Sequence, residues 1–208
     1  FNCDYVIIFH LGMTGKFKLC HDLPQLEKHD HLLIEFHKNI FMIYNDVRKF
    51  GYIDIKKKPI DLINMNKLGY EPDLINIFSD YITKKITKST KSIKSLLLDQ
   101  SVIVGIGNIY ASEILFDAGV NPKRIGANLQ KKDINKILSS TNFILRNAIK
   151  KGGSTIKNYN NVDGDLGYFQ NNLHVYDREG LSCLNCKNLI VKIRQSGRST
   201  FYCTYCQR

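Results

Sequence analysis

Two C-x-x-C pairs near the end of the chain, Cys183 with Cys186 and Cys203 with Cys206, constrain the fold more than any other feature. Sixteen residues separate the pairs. Each pair grips a metal ion from one tight turn, and four thiolates at this spacing make a closed tetrahedral zinc site of the structural kind. Two disulfides or four free thiols are the competing readings, and the motif and a reducing compartment favour the metal. Between the pairs, Leu189, Ile190, Val191 and Ile193, and then Ser199, Thr200, Phe201 and Tyr202, read as two strands of a hairpin. Gln195, Ser196, Gly197 and Arg198 fall in its turn. One structural Zn2+ is thus expected to hold up a loop that projects the Arg198 guanidinium. A purely structural ribbon has no need of an arginine at its tip, so the question becomes what Arg198 points at.

Charge suggests an answer. Thirty Lys and Arg against 19 Asp and Glu give a net charge of +11, which predicts a polyanionic partner, most simply nucleic acid. A chain rich in Lys, Asn and Ile also acquires surface lysines through composition alone, but composition does not produce a zinc ribbon. No apolar run is long enough to span a bilayer. The opening FNCDYVIIF shows no signal peptide, and Cys3 and Cys20 read as reduced packing residues. The setting expected is cytoplasmic and nucleoid-associated.

Periodicity divides the chain. Residues 1–57 are strand-like: Val6 to Phe9, a hairpin of His31 to Phe36 and Phe41 to Asn45 about His37-Lys38-Asn39, and Phe50 to Ile55. This predicts an antiparallel sandwich or barrel, here partial. From Pro59 the pattern turns helical: Leu74 to Ile86, Asn108 to Ala118 and Leu129 to Lys150. A helical domain is therefore expected over 58–150, a loop region over 151–182 and the ribbon over 183–208. The fold class is α+β.

Several motifs carry chemistry, each beside a plainer reading. In GIGNIYASE (105–113), Gly105 and Gly107 precede a helix whose free N–H groups and dipole suit a DNA phosphate. Asn108 offers its amide to the same phosphate or caps the helix. In HLGMTG (10–15), Met13 is either a core methionine or a wedge for a base stack. In EKHDHL, either His29 or His31 is placed to contact phosphate. DVRKFG (46–51) puts Arg48 and Phe50 on one face of a strand, as base-edge reader and stacking ring or as surface Arg and core Phe.

In this order HLGMTG, KHDH, DVRKFG, IKSLLLDQ, GIGNIYASE, GGSTIKNY, GYFQNNLHVYDREG and the terminal CLNC…GRSTFYCTYCQ resemble the bacterial formamidopyrimidine-DNA glycosylases. The resemblance covers essentially the whole chain. It implies an N-terminal β-sandwich, a helix–two-turns–helix domain and a C-terminal β-hairpin zinc ribbon. The implied activity is base-excision repair: removal of oxidised purines such as 8-oxoguanine from double-stranded DNA, then cleavage at the abasic site by a monomer. By the resemblance, Met13, Arg48 and Phe50 fill the gap left by the flipped base, and His29, Arg48, Lys94 and Asn108 contact DNA. Asp163 to Phe169 match a loop that closes over the extruded base. Arg198 contacts phosphate and assists strand scission. A further basic DNA contact of the family aligns with Ser89, where Lys88 or Lys91 is the candidate substitute.

The family's nucleophile is the amine of an N-terminal proline, assisted by a glutamate and a lysine. The present sequence starts at Phe1 inside an apparent strand, without that opening. The expectation is a fragment of a longer product rather than a decayed or split gene. The alternative function is a non-catalytic damaged-DNA-binding zinc protein of the same descent.

Overall fold

The computed structural model describes residues 4–57, 68–72, 77–153 and 173–208. The chain divides into two compact units, residues 1–62 with 150–171, and residues 63–149 with 172–208.

In the first unit five antiparallel strands form two sheets. Strands β1 (Tyr5–His10) and β5 (Tyr52–Lys57) pair in one, and β2 (Gly15–Cys20), β4 (Ile40–Asp46) and β3 (Asp30–Phe36) pair in that order in the other. The central position of β4 explains its burial: Phe41, Ile43 and Tyr44 are the buried apolar residues among the described residues of this unit. Phe9 of β1 meets Phe17 of β2 edge to face, ring centroids 4.9 Å apart, and Phe17 meets Tyr44 at 5.8 Å. The expected β3–β4 hairpin is present, its turn using Lys38 and Asn39 at φ of 67° and 55°. Strand β2 was not expected, because GKFKLC directly follows a glycine-flanked turn and its alternation is short. Residues 47–51 lie outside the strands, so Arg48 and Phe50 sit in a connection and not on a strand face; Lys49 there adopts φ 55°.

The second unit holds the helices and the ribbon. Helix α1 spans Ser79–Thr87, α2 Ile93–Leu97, α3 Asn108–Asp117 and α4 Lys131–Lys150. Helix α1 starts later than the expected Leu74, and residues 73–76 lie outside the described set. The short α2 arises where a polar basic stretch was expected to run on to residue 94. The Ser92 hydroxyl caps it by accepting from the Ser95 N–H at 3.3 Å, and Ile93, Leu96 and Leu97 give it a buried face. The turns between α2 and α3 are fixed by Asp99, which accepts from the Ser101 N–H and hydroxyl at 3.1 and 2.7 Å, and by Gln100, which accepts from the Gly105 N–H at 2.8 Å. Ile82, Ile86, Ile93, Leu97, Ile103, Ile114, Leu115, Ile134 and Ile137 make the buried core.

Strands β6 (Ile190–Gln195) and β7 (Arg198–Cys203) form the ribbon hairpin. Its turn is Ser196-Gly197, both with positive φ (48° and 77°), the backbone that a twisted two-residue hairpin requires. Phe116 of α3 packs in one core with Val175, Cys183, Ile190, Phe201 and Cys203, so the ribbon and the helices share apolar burial. No helix among the described residues is long and apolar enough to cross a membrane.

Candidate metal centre and nucleic-acid interface

The four ribbon cysteines converge. Their Sγ atoms all lie within 4.8 Å of one another, with Cys183 and Cys206 3.9 Å apart and Cys186 and Cys203 3.4 Å apart. Zn–S bonds of about 2.3 Å in a tetrahedron set thiolates about 3.8 Å apart, so the donor set fits one zinc ion and leaves no open position. The two turns are also built for metal. The Lys187 N–H donates to the Cys183 carbonyl at 3.0 Å and the Gln207 N–H to the Cys203 carbonyl at 3.1 Å. The Asn188 amide donates to the Cys186 sulfur at 3.4 Å and draws that thiol down, while burial and the neighbouring sulfurs push Cys203 and Cys206 up. Gln207 is buried and ties the site to the helices, accepting from the Cys203 N–H and donating to the Val120 carbonyl.

The ribbon hairpin rests on α2 and α3 through the backbone of β7. Lys94 is only 1 % exposed; its Nζ donates to the Ser199 carbonyl at 2.8 Å and to the Thr200 hydroxyl at 2.7 Å. Burial, and then the positive charge of Arg198, push the Lys94 ammonium down to about 8. Asn108 donates its side-chain amide to the same Ser199 carbonyl at 3.0 Å, and its buried Oδ1 has no protein partner. The cap of α3 is Gly107, not Asn108. Arg198 is exposed at the start of β7, just past the turn. Lys94, Asn108 and Arg198, far apart in sequence, are thus gathered around Ser199. Ser89 and Lys91 lie nearby in sequence, and Lys91 pairs with Asp99 at 3.3 Å.

In the first unit the structure assembles Met13, Arg48 and Phe50. Met13 is 73 % exposed and Phe50 57 % exposed, which excludes the core reading of both. Arg48 lies 4.6 Å from the Phe50 ring centroid and its Nη1 is 3.5 Å from the Met13 sulfur. The His29 carbonyl accepts from the Asp46 N–H at 3.0 Å. His31 places its Nε2 2.9 Å from the Asp46 carbonyl.

Comparison with known proteins decides the family. Residues 1–53 match the Formamidopyrimidine-DNA glycosylase N-terminal domain, residues 68–160 the Formamidopyrimidine-DNA glycosylase H2TH domain, and residues 180–208 the Zinc finger found in FPG and IleRS. A formamidopyrimidine-DNA glycosylase of Rickettsia felis is 41 % identical over 208 residues, covering all of this chain and 75 % of that protein. The chain belongs to the formamidopyrimidine-DNA glycosylase family. One of Wolbachia pipientis from Culex pipiens is 42 % identical over 99 % of this chain and 76 % of its own length. Among solved structures, Lactococcus lactis Fpg in complex with DNA containing an abasic site superposes with a TM-score of 0.88 at 38 % identity, over 99 % of this chain and 76 % of that one. MutM in complex with DNA containing carbocyclic 8-oxo-G gives 0.88 at 37 % identity, over 100 % and 76 %.

Within this glycosylase-family chain, sequence reasoning overlooked two carboxylates. Glu113, 1 % exposed on α3, accepts from the backbone N–H groups of His174, Val175 and Tyr176 at 2.8, 3.0 and 2.8 Å. Asp46, also 1 % exposed, closes β4 and organises the connection that follows. The available signal was a lone acid inside an apolar helical run, ASEILF, and an acid ending the most buried strand. Asp163 to Phe169 lie outside the described residues.

Proposed function

We propose that this chain carries the damage-recognition apparatus of a base-excision repair glycosylase. Its substrate is duplex DNA containing oxidised purines, 8-oxoguanine and formamidopyrimidines, and the reaction is base removal followed by scission of the abasic strand. The observation that carries this reading is the exposed Met13–Arg48–Phe50 cluster. A thioether and a phenyl ring held in water around a guanidinium gain little in a protein alone. Between base pairs they replace the stacking lost when a nucleotide is flipped, and the guanidinium faces the orphaned base. The neighbours bound to abasic-site and 8-oxo-G DNA support the same substrate. Arg198 grips phosphate, with His29 as a further contact, while the buried Lys94 and Asn108 hold the Ser199 backbone that places Arg198. Arg198 is the one catalytic assignment, stabilising the phosphate as the strand breaks. The Schiff-base amine is assigned to no residue of the 208. Zinc supplies structure, not a reacting position, and the protein acts as a monomer in the bacterial cytoplasm.

Borohydride trapping on an 8-oxoguanine:cytosine duplex, run beside a gel shift on the same DNA, tests this. A covalent adduct places the amine within these residues. Preferential retention of the damaged duplex without an adduct leaves recognition here and assigns the chemistry to sequence beyond them. Equal retention of damaged and intact duplex overturns the proposal.

Two further outcomes are expected. Arg198→Ala weakens binding to all duplexes alike and lowers the slope of log K against log salt by about 1, the signature of one lost phosphate contact. An unchanged slope in a salt titration counts against the contact. A phosphate at Arg198 offsets the guanidinium charge that, after burial, holds Lys94 down, so its protonated form is favoured and the complex holds more protons than the free protein. Affinity therefore falls as pH rises past about 8. Calorimetry in buffers of differing ionisation enthalpy reads the proton uptake, and Lys94→Gln abolishes it.

A further inference from the structure

The wedge residues sit on two turns, and one buried carboxylate fastens both. Asp46 accepts the Thr14 hydroxyl from the β1–β2 turn. It also accepts the Arg48 N–H at 3.2 Å and the Gly51 N–H at 2.8 Å from the β4–β5 connection, and the Tyr44 hydroxyl at 3.3 Å. Thr14 in turn accepts the Arg48 N–H at 3.1 Å. The turns touch: a Cβ on Gly12, which adopts φ 62°, would stand 2.8 Å from the Phe50 carbonyl carbon and 2.9 Å from the Gly51 nitrogen. Met13 is thus flanked by Gly12 and Thr14, both held against the β4–β5 connection. Arg48 and Phe50 are likewise flanked by N–H groups aimed at a single side chain. Charged-acceptor hydrogen bonds of this kind fix backbone more firmly than neutral ones.

We propose that Asp46, with Thr14 as its partner, is the positioning residue of the wedge: it holds Met13, Arg48 and Phe50 in one preorganised cluster before DNA arrives. Burial alone would raise the Asp46 carboxyl, but the four hydrogen-bond donors outweigh it and hold it at about 2, so the clamp stays charged throughout the neutral range. Asp46→Asn keeps the shape and turns one acceptor oxygen into an NH2 group facing either the Thr14 and Arg48 donors or the Gly51 and Tyr44 donors. The exposed Met13, Arg48 and Phe50 then lose their common anchor while β2, β3 and β4 retain their ladder.

The assignment of a DNA role to this clamp rests on the function proposed above, and the test separates the two. In the free protein, the Met13 methyl resonance is expected at a fixed, ring-shifted position. In Asp46→Asn it is expected to collapse to the random-coil value while the Ile43 methyl shifts persist. A Met13 resonance unmoved in Asp46→Asn overturns the positioning role. Should Asp46→Asn lose the sheet as well, Thr14→Val decides. It removes one arm of the clamp only, and an unmoved Met13 resonance there overturns the proposal in the same way. The second arm uses a duplex with a tetrahydrofuran abasic analogue opposite cytosine, beside an intact duplex. Asp46→Asn is expected to lose about tenfold in affinity for the gapped duplex, since small misplacements of a positioned group have large effects, and under about twofold for the intact one. An equal loss on both duplexes overturns wedge positioning. A wild-type chain without preference for the gapped duplex instead sinks the proposed function, and the methyl resonances still decide whether Asp46 positions the cluster.

Discussion

Removing the metal, by chelation or by Cys183→Ser, is expected to lower affinity for duplex DNA about a hundredfold, because it frees the hairpin that carries Arg198. The ribbon has few means of its own to hold shape. Its strands are six residues each, and its apolar core is small, two of the six buried members being Cys183 and Cys203. A structural zinc site supplies about 10–16 kcal/mol of folding free energy in isolated zinc fingers, far more than a six-residue hairpin supplies. Without it Ser199 and Thr200 leave Lys94, and Ser199 leaves Asn108. The two charge-assisted N–H···O bonds of a bidentate Arg198–phosphate contact, at about 1.5 kcal/mol or more each, account for the hundredfold. Metal analysis alongside a gel shift checks it. Full DNA affinity in a zinc-free protein would show that Arg198 needs no ribbon to place it.

Glu113→Ala is expected to destabilise the helical and ribbon unit by about 4 kcal/mol, lowering its melting temperature by roughly 15 °C. The carboxylate is 1 % exposed and accepts three successive backbone N–H groups, one of them on the buried Val175. Alanine strands those donors and leaves a cavity on the face of α3 next to the shared core. Glu113→Gln is the finer probe. It keeps one oxygen acceptor, but its NH2 group meets an N–H where an oxygen stood, so a smaller loss is expected. The same carboxylate hydrogen-bonds the His174 ring, raising that imidazole above its ordinary 6.5. A histidine raised on folding stabilises the protein fully below its unfolded value, and the stabilisation fades as pH rises through the folded one. Because the ring is 43 % exposed, solvent screens the effect. Denaturation at pH 6 and pH 8 should show a small decline in the native protein and none in Glu113→Gln. Wild-type stability in Glu113→Ala would mean the segment at 174–176 contributes little to the unit.

Glu113 and Asp46 also show where sequence reading stops. Both were legible as acids in apolar company, yet their partners were not. The three amides that Glu113 binds lie 61 to 63 positions away, and the Thr14 hydroxyl lies 32 positions from Asp46. Lys94 is a parallel case. A lysine in a basic stretch reads as a solvated charge, and burial became visible only when α2 formed beneath β7, 105 positions on.

The sequence by itself determined the zinc ligands, the hairpin between them, the helices around Gly105 and Gly107, and the motif order that marks the family. These are local signals: cysteine spacing, alternation of two, periodicity near 3.6, and turn residues whose φ is set by their own side chains. Only the tertiary structure decided that Met13 and Phe50 stand exposed around Arg48, and that Lys94, Asn108 and the ribbon meet at Ser199. It alone showed that Asp46 fastens the turns bearing Met13, Arg48 and Phe50, and that Glu113 fastens residues 174–176 to α3. Those outcomes depend on which distant N–H groups find a charged acceptor once water has been excluded, and no local pattern encodes that pairing.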